Sequence, residues 1–455
     1  MPSREQPPWL QCARSTSPTR VSQPTASIGD QEENMPAFNL SALSCRFRAL
    51  WSSQTTPNSV PETITGGGGY NGYIPTLDGW RAVAILAVIF HHAMLPLLDA
   101  HHWLLFSEQG ALGVDIFFAL SGFLICSRLL NERDRFGSID LQAFYLRRAF
   151  RILPPYLTYL AALFVLIPFG FGSRHLEEWI SCLTFTRNYL PNQFWTWKTG
   201  HFWSLSVEEH FYLLFPAALV MLGAGRLRRF LPWFIAASTV WRMADYRFHL
   251  FDRIFPGIPY PYRTDIRVDG IAIGALAALL LAVPSFKAAI RDRLTATRIA
   301  AGATILLAII FIPVPMGVLW QRLLIAAVIT ASALRPELAV TRWLEAKWLR
   351  HIGRLSFSLY IWQQMFFVPT QNSIGRALAR IPALQSLIAD PSDRAWILQL
   401  PLLCVGTVTM AALSYYLVEQ PALRWGARYL KARAEAKSSA VVSIQPEFVE
   451  AARVA

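Results

Sequence analysis

Long apolar blocks separated by short polar or basic segments dominate the chain from residue 73 onward. Their lengths approach the roughly 17–25 residues that a helix needs to cross a bilayer. Because a backbone in lipid must satisfy its own hydrogen bonds, we predict an all-α integral membrane protein, a bundle of about ten transmembrane helices. The predicted spans are 80–98, 111–130, 153–171, 202–222, 231–248, 267–284, 298–313, 318–334, 353–370 and 396–418.

Two segments depart from this pattern. Residues 1–70 are rich in Ser, Thr, Pro, Gln and Gly and have no sustained helical or strand periodicity. Such a composition predicts a disordered N-terminal tail. The stretch 176–189 is amphipathic, and it is expected either to lie on the membrane surface or to re-enter the bundle.

Composition agrees with the membrane prediction. Hydrophobic residues make up 54% of the chain and charged residues only 16%, whereas soluble domains are nearer one quarter charged. The net charge of +13 would suggest nucleic acid on a soluble protein. Here Lys and Arg lie in short loops between apolar blocks, so we attribute the charge to membrane orientation and expect no nucleic-acid partner.

The distribution of basic residues predicts the orientation. With the N-terminus inside, loops 131–152, 223–230, 285–297 and 335–352 hold about 15 Lys and Arg in about 61 residues, against about 8 in about 89 residues of the opposite loops. Cytoplasmic loops collect Lys and Arg. Both termini are therefore predicted to be cytoplasmic.

The first span carries two costly ionisable residues, Arg81 and His92. Eleven positions at 100° each leave them only about 20° apart around the helix and about 16 Å apart along it. His91 falls about 80° away from that face, so helix geometry selects His92 as the residue aligned with Arg81. Ionisable residues inside membranes usually face a bundle interior or a wet cavity. A snorkelling Arg with a structurally bonded His is the alternative at this point.

Other candidates allow both functional and structural interpretations. Arg147, Arg148 and Arg151 suit phosphate recognition through guanidinium forks, and they equally suit the positive-inside role. The Ser121-Gly122 pair favours close helix packing over a nucleophilic serine, because a nucleophilic serine needs an adjacent base and the surrounding sequence is not a nucleophile elbow.

The fourth span begins with Trp203 and Ser204 and brings Glu208 and Glu209 beside a histidine. These carboxylates would orient a base or bind a sugar hydroxyl. Alternatively, Ser206 and Glu209 form a helix-capping box.

Arg267 and Asp269 lie near the start of the sixth span and are candidates for substrate binding or for a structural ion pair. Five cysteines are scattered without metal-like spacing, so no metal site is predicted.

Taken together, several motifs resemble the membrane acyltransferase family 3, which includes bacterial O-acetylases of lipopolysaccharide, peptidoglycan and exopolysaccharide. They occur in the family's order over roughly residues 73–428. The matching stretches are LDGWR (77–81) with His92, FFALSGFLI (117–125), RRAFRILP (147–154), WSLSVEEHFYLLFP (203–216), GRLSFSLYIWQ (353–363) and YYLVEQPALRW (415–425).

The resemblance implies ten core helices and an acyl donor, usually acetyl-CoA, that enters from the cytoplasm. The family's Arg-x10-His motif falls on Arg81 and His92, and its Arg-x-x-Arg motif falls on Arg148 and Arg151. Because imidazole titrates near neutrality, we predict that His92 is a general base or a transient acyl carrier. The arginines are predicted to hold the donor. One departure is Gln363, which stands where many members have His, so no catalytic role is expected there.

We accordingly predict a disordered cytoplasmic tail (1–70), a transmembrane acyltransferase domain (71–428) and a short cytoplasmic tail (429–455) in the cell's inner (plasma) membrane. The predicted activity is O-acylation of a carbohydrate or glycolipid hydroxyl from acyl-CoA, without a permanently bound cofactor. A transporter with an intramembrane His/Arg relay, a membrane scaffold, and acylation of a small lipophilic acceptor are the alternatives.

Overall fold

The computed structural model describes residues 74–100, 110–169, 175–312, 316–367 and 393–436, and these ranges contain helices and loops but no strand. The predicted tail 1–70 lies outside the described residues, as do 437–455. The longer helices are α1 (Pro75–Ala100), α2 (Gly110–Phe136), α3 (Leu141–Leu166), α4 (Leu176–Leu183), α5 (Phe202–Phe248), α6 (Thr264–Leu281), α7 (Pro284–Arg293), α8 (Ala296–Phe311), α9 (Gly317–Leu334), α10 (Lys347–Phe366) and α11 (Asp393–Ser414).

Local chemistry explains where several helices begin and break. Asp140 caps α3 by accepting a hydrogen bond of 2.9 Å from the backbone N–H of Ala143, and α3 therefore starts about three turns before the predicted span. The predicted spans 202–222 and 231–248 are the two halves of α5. They are separated at Gly223, whose φ of 74° lies outside the helical region, a conformation that glycine adopts without steric cost.

Five of the described helices are long and apolar enough to cross a membrane: Leu112–Phe136, Leu141–Leu166, Trp197–Phe248, Gly317–Leu334 and Trp396–Ala436. A sixth is obtained when Tyr260–Leu281 and Pro284–Arg293, bent by 101°, are counted as one span. The chain is thus an all-helical, multi-pass membrane protein. The number of crossings and the placement of the termini stay predictions.

The helices α1 and α10 are absent from that apolar set. Helix α1 contains Arg81, His91 and His92, while α10 ends in the buried pair Gln363 and Gln364. Both helices pack on each other and on further helices. Polar side chains inside a membrane protein are tolerated where they face a bundle interior. These two helices are therefore the candidates to carry the functional site.

Helix α2 lies at the centre of the packing, against α1, α6 and α9. Its crossing with α6 depends on glycine, because a Cβ at Gly122 would collide with the carbonyl oxygen of Ile271, and one at Gly274 would collide with that of Ala119. Small residues of this kind let membrane helices approach at backbone distance.

A second close junction joins α1 to α10. A Cβ on Gly353 would collide with the carbonyl oxygen of Asp78, and a Cβ on Gly79 would collide with that of Leu344, just before α10. The two polar helices are therefore held together at the Arg81 end of α1.

Candidate functional site

Helix α1 runs unbroken through both of its candidate residues. The Nη1 atom of Arg81 lies 2.7 Å from Oδ1 of Asp78, one turn earlier. Arg81 also interacts electrostatically with Glu208 and Glu419. It therefore faces other helices, as the helix geometry predicts for a residue on the inner side of the bundle.

Five arginines form a basic cluster around this end of α1: Arg81, Arg128, Arg147, Arg148 and Arg151. Arg147 donates to Glu132 at 2.7 Å. Arg128 and Arg151 have no acidic partner within salt-bridge distance in the part of the chain that the structure describes. Like charges gathered this closely repel each other, and a bound anion would relieve that repulsion.

Arg148 lines a cavity of about 250 Å³ between α3 and α5, together with Tyr145, Phe185, Glu209 and Tyr212. Its guanidinium lies 4.7 Å from the centre of the Tyr212 ring. Within the described ranges, Oε1 of Glu209 is buried without a hydrogen-bond partner. The cavity thus offers one cation and one carboxylate in a largely apolar wall.

Both carboxylate oxygens of the neighbouring Glu208 accept hydrogen bonds. Glu208 accepts from the hydroxyl of Ser121 at 2.9 Å and from that of Tyr212 at 2.8 Å. Ser121 is therefore a hydrogen-bond donor that links α2 to α5.

The capping interpretation of Ser206 is wrong. Helix α5 begins at Phe202, four residues earlier, so the Ser206 hydroxyl lies inside the helix and donates to the Phe202 carbonyl.

Some 11 residues along α1 from Arg81, His92 meets a pair of glutamines. Its Nδ1 lies 2.7 Å from Oε1 of Gln363, and its Nε2 lies 3.5 Å from Nε2 of Gln364. The ring of Trp197 approaches edge-on, with 5.4 Å between ring centres. Neither Glu208 nor Glu209 is among the hydrogen-bond partners of His92 in the described ranges.

A second buried imidazole, His201, shares this environment. Both its backbone N–H and its Nδ1 contact Oε1 of Gln364, at 3.0 Å and 2.7 Å. Within the described ranges, Nε2 of His201 and Nε2 of Gln363 are buried without hydrogen-bond partners. An unmet buried polar atom costs about 1–3 kcal/mol. Such atoms beside His92 indicate a place where a polar ligand would complete the hydrogen bonding.

Trp203 and Ser204 are committed to packing and loop anchoring. The hydroxyls of Ser204 and Tyr360 both donate to the carbonyl oxygen of His201, at 3.1 Å and 2.9 Å. The ring of Trp203 packs against Tyr262 at 5.1 Å.

Trp203 belongs to a continuous stack of three aromatic rings between two guanidinium groups. The separations between successive members are 4.1, 4.8, 5.1 and 5.3 Å. The members, in order, are Arg187, Trp195, Tyr262, Trp203 and Arg267. Each of the three rings therefore has two neighbours in the stack.

Arg267 and Asp269 belong to a buried ionic network. Asp269 pairs with Arg322, and also with Arg242 at 2.7 Å, while Arg267 lies 3.7 Å from Asp115. The network ties α2, α5, α6 and α9 together, which agrees with the structural alternative for these two residues.

Glu419 is a further candidate site residue, which was not predicted from the sequence. It ends a π-helical turn, Tyr415–Glu419, is 1% exposed, and accepts from Ser358 at 2.9 Å. Arg151 and Arg81 interact with it electrostatically. Single π-helical turns often occur at functional sites. In the sequence, the feature that could have identified Glu419 is a carboxylate within an otherwise apolar stretch.

Comparison with known proteins adds a family match. The model of an acyltransferase domain, that of acyltransferase family 3, matches residues 74–417. An O-acetyltransferase OatA of Staphylococcus aureus strain NCTC 8325 / PS 47 is 28% identical over 386 residues, which are 78% of this chain and 58% of that protein. A putative O-acetyltransferase of Staphylococcus aureus strain COL is 27% identical over 398 residues, or 79% of this chain and 60% of that protein. The chain spans about three fifths of the length of these curated relatives. No solved structure matches the chain.

Proposed function

The chain belongs to acyltransferase family 3, and on that premise we propose that it is a membrane-bound O-acyltransferase. The proposed reaction moves an acyl group, acetyl in the simplest case, from cytoplasmic acyl-CoA to a hydroxyl of a carbohydrate. A surface polysaccharide, a lipopolysaccharide or peptidoglycan is the proposed acceptor, and the O-acetyltransferase names of its relatives support this class.

Helix α1 is the observation that carries the proposal. A single helix places Arg81 within the basic cluster and His92 beside two buried glutamines. The two residues are about 16 Å apart along the axis. A donor bound by its phosphates at the arginine end would direct its thioester along α1 toward His92.

The basic cluster suits the donor, because coenzyme A carries several phosphate groups and guanidinium forks bind phosphate in bidentate fashion. Arg148 and Arg151 are the proposed phosphate ligands, with Arg147 at the rim and Arg128 as a further contact. Glu209 and Glu208 lie beside this cluster, and their proposed role is to orient the donor arginines and the reacting groups.

We place the cluster at the cytoplasmic face of the inner (plasma) membrane. The distribution of Lys and Arg among the loops supports this orientation, with about ten crossings and both termini inside. The acceptor then approaches from the opposite side, at the His92 end of α1.

The chemistry assigned to His92 is general-base catalysis. Its Nε2 takes the proton of the acceptor hydroxyl while that oxygen forms a bond to the acyl carbon. The carbon–sulfur bond of the thioester breaks, and the proton passes from Nε2 to the departing thiolate. If His92 instead carries the acyl group transiently, the same unprotonated Nε2 attacks the thioester carbon and the thiolate leaves. The acceptor oxygen then bonds to the acyl carbon, the bond to Nε2 breaks, and the hydroxyl proton passes to the thiolate.

We infer that Trp203, Ser204, Arg267 and Asp269 serve the acceptor side indirectly. Their stacking, hydrogen bonds and ion pairs fix the loops before α5 and α6. In this proposal they shape the wall past which the acceptor reaches His92.

The test combines genetics with chemistry. Surface glycans of a deletion strain are analysed by mass spectrometry after complementation with the intact gene, with His92→Ala or with His91→Ala. We expect the intact gene and His91→Ala to restore one acyl mass per modified sugar and His92→Ala to restore none at equal membrane abundance. Purified protein should release free thiol from acetyl-CoA only in the presence of acceptor.

Three results would count against the proposal. Acylation by His92→Ala removes His92 from the mechanism. Substrate flux across vesicles without consumption of acyl-CoA favours a transporter. Acylation confined to a small lipophilic compound, with unmodified glycans, replaces the carbohydrate acceptor.

A further inference from the structure

We propose that Gln363 is a positioning residue that holds His92 in the Nδ1–H tautomer, so that Nε2 carries no proton and can serve acyl transfer. This inference rests on the proposed function, because it specifies how the imidazole assigned to that reaction is prepared. It gives a role to a side chain that the sequence argument had set aside.

The tautomer follows from one backbone group. The backbone N–H of His201 can only donate, and it contacts Oε1 of Gln364 at 3.0 Å. The carboxamide of Gln364 therefore has its oxygen toward His201 and its NH₂ toward Nε2 of His92, at the long distance of 3.5 Å. An NH₂ group offers only donors on this side, so Nε2 of His92 is the acceptor and carries no proton.

With Nε2 unprotonated, the neutral imidazole has its proton on Nδ1. That nitrogen lies 2.7 Å from Oε1 of Gln363, a short distance for donation to an amide oxygen. Gln363 is 0% exposed, so its carboxamide lies away from bulk solvent. The two glutamines thus assign opposite roles to the two nitrogens of one ring.

The remaining atom of Gln363 extends the inference toward the substrate. Its Nε2 is buried and has no hydrogen-bond partner within the described ranges. A donor left open beside the base is suited to the acyl carbonyl oxygen, which gains negative charge as the acceptor hydroxyl attacks. Gln363 would then hold the base through its oxygen and the acyl group through its nitrogen.

Two substitutions separate positioning from packing. Gln363→Met keeps the length of the side chain but accepts no hydrogen bond from Nδ1, so we expect kcat to fall by about 10- to 100-fold with little change in KM for acetyl-CoA. Gln363→Glu still accepts from Nδ1–H and should retain clearly more activity. Its carboxylate stabilises the imidazolium form, so the acid limb of its pH–rate profile should move to higher pH. Gln399→Met, in α11, is the control for loss of a buried amide.

A spectroscopic measurement tests the tautomer without relying on activity. Nitrogen-15 spectra of histidine-labelled protein are compared with those of His92→Ala, so that the difference contains the His92 signals. We expect a protonated Nδ1 and an unprotonated Nε2 in the intact protein, and the opposite or a mixture in Gln363→Met. The other titratable side chains near this ring are His91 and His201, and both stay unchanged in these variants.

The outcomes are distinct. A difference spectrum with the proton of His92 on Nε2, or equal kcat and equal pH profiles for Gln363→Met and the intact protein, overturns the inference about Gln363. Acylation by His92→Ala overturns the proposed function instead. An inactive His92→Ala with a fully active Gln363→Met would retain the enzyme and reject only the positioning role.

Discussion

Removing Arg128 should stabilise the protein without bound donor and lower its affinity for the acyl-CoA donor. Arg128 is exposed, has no acidic partner in the described residues, and is repelled by Arg81, Arg147, Arg148 and Arg151. Exposed charge interactions are worth about 0.2–1 kcal/mol each. The change Arg128→Gln should therefore raise the free energy of unfolding by roughly 0.5–1 kcal/mol, a small increase in Tm for a chain of this size.

The donor should respond in the opposite direction. A hydrogen bond between charged groups contributes about 1.5–3 kcal/mol, so loss of one guanidinium–phosphate contact predicts a rise of about 10- to 150-fold in the Kd for coenzyme A. Arg128→Lys keeps the positive charge but lacks the bidentate guanidinium fork. Its Tm should therefore equal that of the intact protein, while its affinity for coenzyme A should be weak.

The assay is thermal unfolding of the purified protein in detergent, with and without coenzyme A, together with KM for acetyl-CoA. Bound ligand raises the apparent stability by an amount set by its concentration relative to Kd. Arg133→Gln is the matched control, because Arg133 lies on the same helix and is paired with Asp134 at 2.7 Å. An Arg128→Gln variant with lower Tm, or with unchanged donor affinity, would refute the reasoning.

Two further predictions concern packing. Gly122→Ala places a methyl group against the backbone carbonyl of Ile271 and should cost about 1–3 kcal/mol of stability; Gly225→Ala, where no atom lies within 4 Å of the new carbon, should be neutral in the same thermal unfolding experiment. Arg322→Met removes one guanidinium partner from each of the buried carboxylates Asp115 and Asp269 and should cost about 3–5 kcal/mol. Adding Asp115→Asn should recover part of that loss, measured as folded protein by size-exclusion chromatography, and no recovery would contradict the ionic network.

Local periodicity was enough to identify the polar face of α1. Arg81 and His92 lie on one continuous helix, so their relative placement follows from sequence spacing alone. The break at Gly223 likewise falls between two predicted spans. Features that depend on a single helix could therefore be predicted from the sequence.

Contacts between segments that are distant in the sequence could not be predicted in this way. Gln363 meets His92 across 271 positions of sequence, and nothing in either segment encodes the packing of α10 on α1. Arg128 looked like one more basic residue at the end of a span, and only the folded chain brings it to the other arginines. Glu419 was visible within a motif, but its neighbours come from α1, α3 and α10.

The junction of α1 with α10 also has a mechanical consequence. Gly353 rests on the backbone of Asp78, and Gly79 rests on that of Leu344, just before α10, so the backbones of the two segments approach each other directly at both contacts. Rocking between them would require backbone collision or separation. We expect α1 and α10 to move together as one rigid pair. Any alternation of access between the two faces of the membrane should then come from movement of the surrounding helices relative to this pair.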